Sequence, residues 1–134
     1  MEYRSDALSR CLQTLHRNVP SIRGSTILTN DGLIIAAYPP GWDADRHDPT
    51  GAENVAGTAA LVVAAAERTV RRLEQGALER VLLEGEKGVV AVFPATEDSA
   101  LAVFLEKDAK IGLALRTAGS AALEIREILK RDSG

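Results

Sequence analysis

Three arginines near one end of a predicted helix, Arg68, Arg71 and Arg72, are the groups in this chain best suited to act on a phosphate. An arginine set against a transferring phosphoryl group is worth about 10³–10⁵ in rate. The competing reading is that they offset the negative end of the helix dipole and pair with Glu67, Glu74 or other acids, and the residues favour it. A second concentration of chemical groups, Asp43, Asp45, His47 and Asp48, matches no EF-hand or zinc-ligand spacing and reads as a solvated acidic loop. No Gly-x-x-x-x-Gly-Lys-Ser/Thr loop is present to cradle a nucleotide, and no Gly-x-Ser-x-Gly marks a nucleophile. With only His16 and His47, an imidazole metal site has little support, and Cys11 lies on an apolar helical stripe, where a thiol packs as a small hydrophobe. Trp42, the only tryptophan, sits between Pro39-Pro40-Gly41 and the acidic run. It is either a partner contact, since interface hot spots favour Trp, or a ring folded back onto the preceding hairpin. The chemistry therefore predicts a binding protein with no catalytic site, cofactor or metal of its own.

The elements that would carry these residues are legible from periodicity. Thr50-x-x-Glu53 has capping-box spacing and predicts a helix start, and Gly76 predicts its end at C′. Ala59, Val62, Val63, Ala66, Val70 and Leu73 form one face, yet Val55 to Ala66 is apolar or small on nearly every side. A helix apolar all round is buried all round, and a second copy of the chain is the simplest way to bury it. The predicted seam is Ala56, Ala59, Ala60 and Val63 on this helix, with Leu78, Arg80 and Leu82 on the strand that follows.

Before that helix, Leu8, Cys11, Leu12 and Leu15 trace an amphipathic helix that must stop before Pro20. Ile22–Thr29 and Leu33–Tyr38 are strands joined through Asn30-Asp31-Gly32, a strong hairpin signal, and Pro39 to Pro49 is a loop. After it, Leu78–Glu84, Val89–Phe93 closed by Pro94, and Leu101–Leu105 read as strands, and Leu115, Ala118, Ala122, Ile125 and Leu129 as a terminal helix. The order is α-β-β-α-β-β-β-α: an antiparallel five-stranded meander with helices on one face and a charged edge strand at Leu78–Glu84 where two copies join into one sheet.

The chain has 134 residues, 46% apolar and 26% charged, with a net charge of −3, which predicts one soluble domain and gives no support to nucleic-acid backbone binding. A charged N-terminus without an apolar core region predicts no signal peptide, and no uncharged run of about 18 apolar residues predicts a membrane span. The expected location is the cytoplasm. Arginines outnumber lysines 12 to 4, a bias of GC-rich genomes.

Taken together, the element order, the Asn30-Asp31-Gly32 hairpin, the Ala-rich central helix, the Glu86-Lys87-Gly88-Val-Val-Ala-Val-Phe-Pro stretch and Leu101-Ala-Val-Phe-Leu resemble the Roadblock family over residues 7 to 130. That family includes dynein light chains of the roadblock type and many small bacterial proteins. The resemblance implies a profilin-like α/β/α domain that dimerises through its third strand and second helix and serves Ras-like small GTPases as a platform. In bacteria such dimers are often partners of a polarity or gliding-motility GTPase, some accelerating hydrolysis, generally without an arginine finger. The expected function is thus a non-catalytic homodimeric adaptor that binds a Ras-like GTPase and modulates its cycle, with Trp42, Arg68 and Arg72 as partner contacts. The alternatives are a structural dimerisation scaffold in a signalling or motor complex, indifferent to nucleotide, and a small-molecule sensor, which needs an internal cavity. The long acidic Pro39–Pro49 loop departs from the tightest members of the family.

Overall fold

Pro20 sets the first boundary: helix α1 (Arg4–Asn18) stops before it and strand β1 (Ile22–Thr29) starts after it. In the computed structural model, which describes residues 3–42 and 48–131, β2 (Ile34–Tyr38) returns beside β1, and α2 (Ala52–Arg72) follows. Strands β3 (Val81–Glu84), β4 (Gly88–Thr96) and β5 (Ser99–Glu106) form a meander, and α3 (Ile111–Arg131) closes the chain. Residues 43, 45 and 47 of the acidic cluster lie outside the described residues. The five strands form one antiparallel sheet in the order β2-β1-β5-β4-β3.

Helices cover both faces of this sheet, not one as the meander pattern predicts. On one face α1 and α3 bury Leu8, Leu12, Leu15, Ala118 and Ile125 against Ile27, Val89, Ala91, Leu101, Val103 and Leu105. Each such large side chain removed from water contributes about 1.5–3 kcal/mol. On the other face α2 buries Ala56, Ala59, Ala60 and Val63 against Leu28, Val92, Ala100 and Ala102. The period-two alternation of β4 and β5 supplies both cores, with Ala91 and Val103 on one side and Val92 and Ala102 on the other.

The Asn30-Asp31-Gly32 turn forms as the hairpin signal predicts, and Gly32 is required there twice over. Its φ is +80°, and a Cβ on it would lie 2.9 Å from the Gly57 Cα of α2, so the hairpin tip rests directly on helix backbone.

Four element ends differ from the sequence pattern. The Thr50 hydroxyl donates to Asp48 Oδ1 at 2.7 Å and does not cap α2, whose N-cap is Gly51. At the other end α2 stops at Arg72, and Glu74, not Gly76, takes the left-handed C′ position, with φ 54°. Gln75 N–H donates to Val70 O and Glu74 N–H to Arg71 O, the paired bonds of a Schellman motif. β3 begins only at Val81, three residues later than the apolar pattern. Strand β4 runs through Pro94 because β3 pairs only with Val89–Val92, so the missing proline N–H costs no bond to β3.

A non-glycine residue in the left-handed region costs about 1 kcal/mol or more. Glu74→Gly is accordingly expected to stabilise the protein by roughly 0.5–1 kcal/mol, the helix-end relief being partly offset by the freer unfolded chain. Urea unfolding checks it, and an unchanged or lower midpoint would show the strain to be absent.

Candidate functional site

A helix about 10 Å wide cannot cover five strands spaced about 4.8 Å apart. On its face of the sheet α2 sits over the β1 side, and the β4–β3 side is left incompletely roofed. There Val62, Thr58 and Val55 of α2 stand across a groove of about 140 Å³ from Leu83, Val90 and Phe104, and its lining is almost wholly apolar. Leu83, 43% exposed on the edge strand, is opposite Val90 in the β3–β4 register. The unfinished face continues along the helix. No residue of α2 beyond Val63 is fully buried: along its apolar stripe Ala66 and Val70 are half-buried and Leu73 is exposed. Leu61 is 75% exposed and Leu73 63%.

The predicted seam residues divide sharply. Ala56, Ala59, Ala60 and Val63 are buried in the protomer's own core beneath α2, Ala59 alone of them also lining the groove. Leu78 is half-buried against the same cluster, and Arg80 and Leu82 are exposed at the sheet edge. Besides that edge, the surface a second chain could meet is Thr58, Val62, Leu83, Val90 and Phe104 of the groove, of which sequence reasoning singles out none as a contact. The signal for Leu83 and Val90 is β-sheet parity: Val81 and Leu83 share a face with Val92 and Val90.

Arg68, Arg71 and Arg72 are all exposed. Trp42 folds back: its ring packs over Gly24 of β1, and its Nε1–H donates to Thr50 O at 2.8 Å. Arg23 lies over the Phe104 ring at 5.3 Å, and the Thr50 hydroxyl and N–H hold the Asp48 carboxyl below its usual range, with Arg23 adding to the same effect.

Cys11 is buried and His16 half-buried within the protomer. Burial pushes the Cys11 thiol up to about 12, with Glu124 Oε2 at 3.5 Å reinforcing it, the opposite of an activated nucleophile. Among the described residues no group of three or more His, Cys, Asp and Glu is placed to hold a metal, and no helix is long and apolar enough to cross a membrane. A wider cleft of about 1270 Å³ lies beside the α2–β3 connection. Its lining charges cancel, Arg4, Arg71, Arg126 and Lys130 against Glu67, Glu74, Glu97 and Asp98, so it selects no ligand by charge.

His16, on α1, bonds to the buried Ser25 hydroxyl at 2.8 Å and meets the Tyr38 ring edge-on. Burial pushes it down to about 4. Above pH 6.5 the ring is neutral folded and unfolded, so its contribution is complete. Between 6.5 and about 4 only the unfolded chain takes up the proton, and stability falls. The expected slope is below about 1.4 kcal/mol per pH unit, because the ring is only partly buried. Urea unfolding of the wild type and His16→Gln across that window tests this; equal slopes would overturn it.

A five-stranded antiparallel sheet between two helices and one, with an apolar groove on the single-helix face, defines the profilin-like α/β/α class. The Roadblock/LC7 domain matches residues 11–104 of this chain, which belongs to that family. The uncharacterised protein MJ1340 of Methanocaldococcus jannaschii is 33% identical over 119 residues, covering 89% of this chain and 96% of that one. Among solved structures, MglB with a tetrameric arrangement superposes with a TM-score of 0.83 at 18% identity, over 98% of this chain and 93% of that one. Gliding protein MglB from Thermus thermophilus gives 0.82 at 18% identity, over 98% and 94%. At these identities the structural likeness speaks for the fold.

Proposed function

We propose that the chain forms a homodimer through the groove and the β3 edge, and that this dimer is a non-catalytic adaptor that binds a Ras-like small GTPase and modulates its GTP cycle. The observation that carries the reading is the unfinished α2 face: an apolar groove beside a helix with no fully buried residue beyond Val63. A second α2 laid along the first fills the groove, and two β3 edges meeting antiparallel make the sheet continuous. Membership of the Roadblock/LC7 family and the likeness to MglB support that assembly and its use as a GTPase platform. Leu61, Arg68 and Arg72 then form the outer stripe of the helix pair, available to the GTPase. The chain has no phosphate-cradling loop, so its effect on hydrolysis would come from holding the partner's switch segments. A platform that does so must prefer one nucleotide state, since only differential affinity shifts an equilibrium.

The test is affinity capture from source cells with this protein as bait, run in parallel with GDP and a non-hydrolysable GTP analogue. Retention of a Ras-like GTPase chiefly with the analogue is expected. Partners that include no GTPase and do not change with nucleotide would move the protein to the scaffold class.

A further inference from the structure

Gly24 of β1 and Phe104 of β5 are cross-strand partners and therefore share the α2 face of the sheet. A Cβ built on Gly24 would stand 2.5 Å from two carbons of the Trp42 ring, so the indole occupies the space that a side chain at position 24 would take. Trp42 thus fills the cross-strand place beside Phe104 on the β1 side, while Val90 flanks Phe104 on the β4 side and Arg23 lies over its ring; Phe104 is a wall of the groove. The ring cannot drift, because Nε1–H donates to Thr50 O at 2.8 Å and the Trp42 N–H to Pro39 O at 3.2 Å. Thr50 is fixed in turn by its two bonds to Asp48 Oδ1, at 2.9 and 2.7 Å. Two more groove walls follow directly from this turn: Pro49, and Asn54, whose Nδ2 donates to Pro49 O at 2.7 Å.

We propose that Trp42 is a positioning residue of the groove that receives a second copy of this chain. It acts through Phe104 and the Asp48–Gly51 turn, and touches no partner itself. The inference rests on the dimer reading above and replaces the expectation that Trp42 is a direct contact. Its physical basis is preorganisation: a wall fixed before association loses no freedom when the second helix packs on it. Without the indole, Phe104 borders an empty seat over Gly24 and Thr50 O loses its donor, so the groove must be ordered at the expense of binding.

The experiment is sedimentation equilibrium of the full chain at 20 °C, for the wild type, Trp42→Ala, Trp42→Phe and Gly24→Ala, with urea unfolding to establish that each is folded. Trp42→Ala and Gly24→Ala are expected to raise the dimer Kd about tenfold or more, and Trp42→Phe, which keeps a ring in the seat, by less than about threefold. Gly24→Ala retains the sole tryptophan, so displacement of the ring also appears as a red shift of its emission. A residue that merely supports the fold would lower the unfolding midpoint and leave the Kd of folded protein alone. A dimer Kd unchanged in folded Trp42→Ala, with a dimeric wild type, overturns this inference and leaves the dimer reading intact. A wild type that stays monomeric at every concentration overturns both. Should Trp42→Ala lose its fold, Trp42→Leu takes its place, expected to weaken the dimer about fivefold, and an unchanged Kd there overturns the inference equally.

Discussion

Val63→Glu is expected to unfold the protomer, at a cost above about 4 kcal/mol, rather than to separate a pair of folded copies. Val63 is 6% exposed and lies in the cluster that α2 makes with Leu28, Val92, Ala100 and Ala102. A glutamate there must either enter an apolar cluster as an anion, take up a proton against its ordinary pKa, or push α2 off the sheet. Each route consumes much of the 5–15 kcal/mol by which a domain of about this kind is stable. Ala60→Glu faces the same choice from the neighbouring turn of the helix. The informative control is Leu61→Glu, two positions from Val63 but 75% exposed, which is expected to change stability by less than about 0.5 kcal/mol. Urea unfolding followed by circular dichroism separates the two. A Val63→Glu protein with wild-type stability would mean that α2 is not seated on this sheet, and would restore the seam first read from the sequence.

The burial of Ala56, Ala59, Ala60 and Val63 within the protomer marks where the sequence stops being legible. Periodicity locates all eight elements, and it places Ile22–Thr29 to the residue, because β-branched runs and turn residues are local signals. The boundaries that slip are settled by contacts the local pattern does not contain. Asp48 captures the hydroxyl of Thr50, the Schellman bonds fall at Glu74, and the shortness of β3 lets β4 continue through Pro94. For α2 the sequence reveals a surplus of apolar surface but not which side of it the sheet consumes. Ala56, Ala59, Ala60 and Val63 look like an interface because small residues permit close approach. In the fold that close approach is to the sheet of the same chain. The surplus is real, but it lies on another side of the helix. For Trp42 a ring folded back onto the hairpin is one of the two readings the sequence offers, but nothing near it announces that Gly24, eighteen positions earlier, is its seat.

Charge placed on the proposed outer seam has the opposite expected signature. Leu83→Asp and Val62→Asp should each raise the dimer Kd more than about a hundredfold while the protomer stays folded. Both side chains line the groove, from β3 and α2 respectively, and neither belongs to the buried cores. In the single chain an aspartate at 83 can remain hydrated, because Leu83 is already 43% exposed on the edge strand. Association would strip that water away with no cation in the groove lining to replace it. Two-fold symmetry makes every substitution occur twice in the dimer, so a cost of about 1.5–2 kcal/mol per site becomes about 3–4 kcal/mol per dimer. That is about two to three orders of magnitude in Kd. The matching control is Leu123→Asp on α3, 65% exposed on the two-helix face, which is expected to leave the Kd unchanged. Sedimentation equilibrium reads all three. Loss of the dimer with Leu123→Asp but not with Leu83→Asp would place the interface on α3 and leave the groove without its occupant. Loss with Leu83→Asp and Val62→Asp alone would tie association to the half of the sheet that one helix is too narrow to cover.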